Sequence, residues 1–415
     1  MQTSSRKHRA EYNIIIAIAC FSIQAIGVGT YFSYGVFFNP LMDTFGWSRA
    51  AISGASSAAF FIAGLFALIV GRLNAQFGPR LLMSMGAIFL GLGFGLMSQV
   101  ASLDQLYLVL GLMFGIGFST VDVIALTTVV RWFSLNRGRM TGLVKVGAGA
   151  GQFTIPILAS FLITWTGFQN AFIIMGIIVF ILLMAIAQFL YRDPDIYDMA
   201  KSGLSNPGET VSDNEIPSVQ ITGIPLSQAL KSKKLWLLCL SYLLTTFCIM
   251  SIMIHIVPHS RDMGILPHRA AGVLAAIGAI SMVGRFASGV LIDRTGSKPI
   301  MIISFVLLIL ALAWLIRADA LWKLYAFAIV YGIAHGGVFT AISPIVAELF
   351  GIRAHGGLFG IVIFFGTVGG ALGPFVTGFL FDRFLNYTTA FTMLNIIAVI
   401  ALCLILCLRM KHPAS

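Results

Sequence analysis

Twelve stretches of this chain are apolar for twenty residues or more, and nothing else in the sequence restricts its fold so tightly. They fall near 12–40, 48–72, 79–101, 105–130, 140–165, 168–191, 234–258, 268–292, 298–317, 320–347, 354–381 and 387–409. The hydrocarbon core of a bilayer needs about 20 helical residues to cross it. Backbone groups in hydrocarbon must be satisfied within the chain, so such segments cross as helices or as a closed barrel. A barrel needs segments of about ten residues with alternating hydropathy, and none is visible. The reading is an all-α integral membrane protein whose solvent is a lipid bilayer. Composition agrees: 58% of the 415 residues are hydrophobic and 10% are charged, a balance that a soluble chain does not sustain.

The net charge of +11 at first suggests nucleic acid as a partner. Its placement excludes that. With the N-terminus in the cytosol, 18 of the 26 Lys and Arg residues fall on the cytosolic side, six outside and two within spans. This is the positive-inside pattern, so the basic residues set orientation. Both termini are then expected in the cytosol, with the protein in the plasma (inner) membrane. No cleavable signal is read, because the first apolar run is too long for a signal core. The five cysteines (Cys20, Cys239, Cys248, Cys403 and Cys407) lie in apolar stretches without metal-ligand spacing and read as small buried hydrophobes. No HExxH, P-loop or nucleophile elbow is present, so neither an enzyme nor a bound metal or cofactor is expected.

The one long hydrophilic stretch, 192–233, carries six of the 15 acidic residues and divides the spans six and six. It reads as a cytosolic linker between an N-terminal half, 1–191, and a C-terminal half, 234–415. Its end, 227–236, suits a short interfacial helix leading into span seven. The halves repeat. Gly71-Arg72-Leu73-Asn74-Ala75-Gln76-Phe77-Gly78-Pro79-Arg80 follows span two, and Gly289-Val290-Leu291-Ile292-Asp293-Arg294-Thr295-Gly296-Ser297-Lys298 follows span eight. Span five opens with Arg137-Gly138 and continues through Gly142, Gly147, Gly149, Gly151 and Pro156; span eleven opens with His355-Gly356 and continues through Gly360, Gly366, Gly370, Gly373 and Pro374. Two pseudo-symmetric six-helix halves in one chain suit a carrier that works as a monomer by rocking about a midplane site.

The run Gly289, Leu291, Asp293, Arg294, Gly296 and Lys298 resembles the cytosolic signature of the major facilitator superfamily. The N-terminal copy keeps Gly71, Leu73, Gly78 and Arg80 but has Ala75 and Gln76 where the signature has Asp and Arg. The resemblance covers nearly the whole chain and implies the major facilitator fold. A finer resemblance is to the monocarboxylate transporter family and its oxalate–formate antiporter relatives. It rests on Tyr34-Gly35-Val36-Phe37-Phe38-Asn39-Pro40-Leu41 followed by Phe45-Gly46-Trp47-Ser48-Arg49, on His255-Ile256-Val257-Pro258-His259 followed by Gly264, on Gly284-Arg285 with Gly289, and on Glu348-Leu349-Phe350-Gly351. In that family the span-eight Arg binds substrate carboxylate, which implies the same for Arg285. The chain departs from the family in three places. Ser281 stands where animal members carry Asp, span one has no charge, and 358–373 lacks the second cation of the oxalate–formate type. A single carboxylate is therefore favoured over two.

Three ionisable residues sit at one depth. Helix rise places Arg285, Asp122 and Lys145 each about 12–13 Å from the cytosolic boundary. Arg285 is suited to a bidentate clamp on a carboxylate or to a structural ion pair. Asp122 suits a proton acceptor or a fixed partner of Lys145. Lys145 is a second anion-attracting charge, or it snorkels to the surface. His255 and His259 stand at i, i+4, with His255 the deeper and a candidate for substrate contact or proton relay; the alternative is a satisfied core imidazole. Tyr331 and His335 share one face of span ten, Tyr331 as a hydrogen-bonder and His335 as a relay, or both as packing polarity beside Gly332, Gly336 and Gly337. Gln24, Tyr31, Tyr34, Thr120 and Gln152 are weaker candidates, since isolated polar residues in a bundle often bond a neighbouring helix. Asn386-Tyr387-Thr388 is a glycosylation triplet placed outside by topology.

The resemblance, joined to these residues, implies a carrier of a small organic monocarboxylate, lactate- or pyruvate-like, moving with a proton by alternating access. An organic-anion exchanger of the oxalate–formate type is the alternative. A membrane sensor of organic acids ranks below both, because the 192–233 linker is too short and polar for a signalling domain.

Overall fold

The computed structural model of the chain describes residues 2–47, 49–194 and 223–408. Among them, eleven helices are long and apolar enough to cross a membrane, and one of the eleven is two spans. Gly54–Gln99 runs 46 residues, more than twice the length a bilayer requires. It breaks at Gly78, whose φ of 78° and ψ of 166° belong to a region that only glycine enters freely, with Pro79 next in the chain. The break separates span two from span three and brings the count to twelve. Span one is Tyr12–Phe37 and span four Leu103–Trp132; spans five and six are Arg137–Thr166 and Phe168–Ala187. Spans seven to twelve are Lys233–Asp262, Gly272–Thr295, Ser297–Leu315, Leu321–Phe350, His355–Phe381 and Thr388–Leu406.

The repeat is written in the backbone as well as in the sequence. Gly296, aligned with Gly78, has φ 83° and ψ 168° and parts span eight from span nine. Other boundaries differ from the sequence expectation at their ends. The first helix begins at Gln2, well before the apolar run, and helix continues from span two through Arg72–Phe77 up to Gly78. Span four contains a π-helical segment, Tyr107–Phe114, in the turn where Gly111 lies against Ala55 and Ala58 of span two. The cysteine reading needs correction. Cys20, Cys239 and Cys248 are buried, but Cys403, within span twelve, and Cys407, just past its end, are exposed.

Two compact units emerge. One comprises Met1–Leu135, Gly147–Pro225 and Phe350–Gly360; the other comprises Asn136–Val146, Leu226–Leu349 and Ile361–Ser415. The head of span eleven thus packs with the first unit and the head of span five with the second. Small residues make both possible. In the first unit the backbone of Gly71 lies against Gly356, and Gly360 lies against the Ala67 carbonyl. In the second, Gly138 and Gly289 oppose each other so closely that either Cβ would strike the other backbone.

The described residues on either side of 195–222 are held at defined points. The Trp132 indole donates to the Tyr191 carbonyl at 2.8 Å, Arg131 pairs with Asp193 at 3.1 Å, and Arg192 donates to the Ala75 carbonyl at 2.8 Å. Most of the expected linker, 195–222, lies outside the described residues. Beyond it, Gly223 forms an isolated antiparallel bridge with Gly351, and the Ile224 N–H donates to the Phe350 carbonyl at 3.1 Å. The short helix expected before span seven is Leu226–Leu230, after which Ser232 caps the Lys233–Asp262 helix through its hydroxyl oxygen.

Candidate functional site

Arg285 is the one charged residue between Gly272 and Ile292 of its helix, and the helix packing around it is tight on two sides. Gly284 lies against the backbone of Gly332 and Ile333 in span ten, and Gly336 lies against Ser281 and Arg285. From the head of span five, Gly142 approaches the Arg285 carbonyl. Arg285 is 8% exposed, and its Nη1 donates to the Lys145 carbonyl at 2.8 Å. A cation here costs about 2.5–3.5 kcal/mol on insertion scales and is kept where it has work to do. Lys145, itself buried, brings a second cation to the same part of the second unit.

One helical turn before Arg285, Ser281 reaches span ten. Its Oγ lies 2.6 Å from Nδ1 of His335. The His335 ring lies tilted beside Phe339 and Tyr331, with centroids 5.0 and 6.2 Å away, and both Arg285 and Lys145 act on it electrostatically. Arg285, Lys145 and His335 therefore converge, as three of the residues singled out from sequence. Ser281 was visible there only as the residue replacing an acid; its place four residues before Arg285 was the signal that it shares the same helix face.

The other candidates in the second unit turn elsewhere. Tyr331 is fully buried and its hydroxyl donates to the Ile249 carbonyl at 2.7 Å. His255 bonds the Tyr387 hydroxyl at 3.1 Å and the Pro374 carbonyl at 3.0 Å, with its ring over Gly378. Because Pro374 offers only an acceptor, the His255 Nε2 is the donor of that bond. His259 lies edge-on to Tyr387 and Phe391. These contacts join spans seven, eleven and twelve.

In the first unit, Gln24 of span one donates to Asp122 of span four at 2.7 Å and to the Val121 carbonyl at 3.2 Å. Tyr31 stacks on Phe118 and donates to the Ser56 carbonyl at 3.3 Å; Tyr34, buried, donates to the Ile52 carbonyl at 3.1 Å. Thr120 bonds its own helix at the Gly117 carbonyl.

The loop motif is an array of helix caps. The Asp293 carboxylate accepts from the Gly138 and Arg139 amides at 2.7 and 2.9 Å. These are orphan donors in the first turn of span five, where a negative charge also meets the positive end of the helix dipole. Glu348 does the same for span nine, accepting from the Ser297 amide at 3.0 Å and its hydroxyl at 2.6 Å. Lys298 donates to the Leu406 and Leu408 carbonyls at the end of span twelve, at 3.2 and 2.6 Å. Arg80, its N-terminal counterpart, donates to the Gln188 carbonyl just past span six at 2.6 Å. Arg294 is exposed. At Ala75, where the signature has Asp, Arg192 instead donates to the backbone carbonyl.

The arrangement makes a polar cluster inside apolar helices, held by capped helix ends, and comparison with known proteins gives it a family. A model of the Major Facilitator Superfamily matches residues 19–321 and 273–415. The chain is 28% identical to Monocarboxylate transporter 13 of Rattus norvegicus over 396 residues, covering 93% of this chain and 87% of that one. It is 25% identical to Monocarboxylate transporter 11 of Homo sapiens, with 91% and 79% covered. It is 24% identical to the MFS-type transporter YcxA of Bacillus subtilis, with 88% of each covered. Among solved structures, the human organic anion transporter MFSD10 (TETRAN) superposes with a TM-score of 0.74 at 15% identity, over 95% of this chain and 99% of that one. The proton:xylose symporter XylE gives 0.73 at 13% identity, over 97% of each. The chain belongs to the Major Facilitator Superfamily and is a membrane transporter, not an enzyme.

Proposed function

We propose that this transporter carries small monocarboxylates of the lactate and pyruvate kind together with a proton, by alternating access. The observation that carries the reading is Arg285, a cation that keeps its charge at any accessible pH, buried within a span beside Lys145 and His335. Such a cluster attracts a small anion and holds it by charge-assisted hydrogen bonds. Relatives named as monocarboxylate transporters along most of the chain support the substrate class. The charge distribution of the loops supports placement in the plasma (inner) membrane with both termini cytosolic. One chain holds both six-span halves, 1–191 and 234–415, and acts as a monomer.

In this reading Arg285 pairs with the substrate carboxylate. Asp122, bonded by Gln24, takes the proton that offsets the added negative charge. Tyr331, Tyr34, Tyr31 and His255 serve as helix-to-helix hydrogen bonds, since each already serves a partner in its own unit. Calorimetry on purified protein tests the anion site. Arg285→Ala should weaken lactate and pyruvate binding at least 30-fold, the effect of removing about 2 kcal/mol or more when one partner of a buried charge pair is truncated. Retained affinity in that variant would overturn the reading. Uptake into proteoliposomes with and without a pH gradient separates symport from anion exchange.

A further inference from the structure

We propose that Ser281 and His335 together form the element that reads the second oxygen of a 2-hydroxy or 2-oxo carboxylate, with the His335 Nε2–H as donor; this rests on the carboxylate reading of Arg285. Buried hydroxyls in this unit, such as those of Thr245, Ser251, Ser260 and Ser304, donate to the carbonyl four residues back. Ser281, 1% exposed, bonds instead across to Nδ1 of His335. If the hydroxyl donates, both atoms of that contact are satisfied. The reverse assignment would strand the hydroxyl hydrogen in a buried place, which carries a desolvation penalty. The ring is thereby fixed in the tautomer that carries its proton on Nε2.

That second nitrogen has no protein partner among the described residues, and the side chain is not sealed, being 7% exposed. The Tyr331 and Phe339 rings and the Ser281 hydroxyl lie beside His335, and the Arg285 and Lys145 cations act on it electrostatically. The Tyr331 hydroxyl is already engaged with Ile249. Ser281 and Arg285 are one turn apart, so the imidazole held by the first stands roughly 6 Å along the helix from the second. A carboxylate on the guanidinium then presents an oxygen on its adjacent carbon toward the Nε2–H. An alkanoate without that oxygen leaves the donor unmatched, and a site built around a hydrogen bond rejects the analogue that lacks it.

The test compares dissociation constants for pyruvate, L-lactate and propionate, by calorimetry on the full-length protein. The wild type should prefer the two oxygen-bearing acids roughly fivefold to tenfold, the effect of one hydrogen bond. His335→Phe should bring the ratio to about one. His335→Gln, whose amide nitrogen reaches the Nε2 position, should keep most of the preference. Ser281→Ala should lower the ratio partway, because the ring is no longer fixed in one tautomer. A preference that survives His335→Phe, or a wild type that binds propionate as well as pyruvate, overturns this proposal alone. A wild type that binds none of the three overturns the carboxylate reading with it.

Discussion

Replacing Asp293 by Asn should loosen the first turn of span five in a way that can be read at two amides. The carboxylate accepts the Gly138 and Arg139 N–H groups at 2.7 and 2.9 Å, and neither has an acceptor one turn back within its own helix. Asn keeps one oxygen, so one bond persists in neutral form. Its amide NH2 must then face the other N–H, donor against donor, and the favourable charge at the helix end is lost. A charge-assisted hydrogen bond contributes about 1.5–3 kcal/mol and a helix-end charge about 0.3–1 kcal/mol. Asp293 is exposed, so water replaces part of what is lost and screening takes the lower end of each range. The net loss is about 1–2 kcal/mol, or roughly a 5- to 30-fold increase in local opening. Hydrogen exchange resolved to the peptide 136–142 should show that increase at Gly138 and Arg139. The Ser297 amide, held by Glu348, serves as an internal control and should not change. Equal exchange at Gly138 and Arg139 in wild type and variant would show that the carboxylate does not hold this helix end.

Gly296→Ala and Gly78→Ala should each cost about 1–3 kcal/mol, since both residues occupy a backbone region closed to side chains, and thermal unfolding of the purified protein checks this. Tyr331→Phe should lower stability by about 1 kcal/mol through loss of the bond to Ile249, while lactate affinity changes less than about twofold. A large loss of affinity would return Tyr331 to the substrate. Asp122→Asn should remove the dependence of uptake on the pH gradient, measured in proteoliposomes, and an unchanged dependence would assign the proton elsewhere.

Much of the fold was legible because lipid imposes a simple length rule. Apolar runs gave the spans, and the paired glycines gave the repeat, down to the equivalence of Gly78 and Gly296 that the dihedral angles repeat. Helix facing was not legible. A span that is apolar on all sides does not advertise which residue meets which neighbour. Tyr331 and His335 were placed on one face by their spacing, yet the hydroxyl goes to span seven and the imidazole to span eight. Long-range partners were equally hidden. Asp293 stood out within a motif, but its acceptor role depends on amides some 155 positions away. Ser281 looked like a missing charge, and only the three-dimensional packing showed what it touches.

The bridge between Gly223 and Gly351 has a bearing on how the protein can be engineered. Tyr191, Arg192 and Asp193 before the 195–222 stretch, and Gly223 and Ile224 after it, are all moored on the same compact unit. Beyond these moorings the chain passes into the other unit at Leu226. Extra length spliced between the moorings is therefore added to a segment whose two described ends belong to one unit, and it leaves the residues that follow Pro225 unchanged. A reporter domain inserted within 195–222 rides on the first unit as a passenger, whereas a few residues added after Pro225 lengthen the crossing itself.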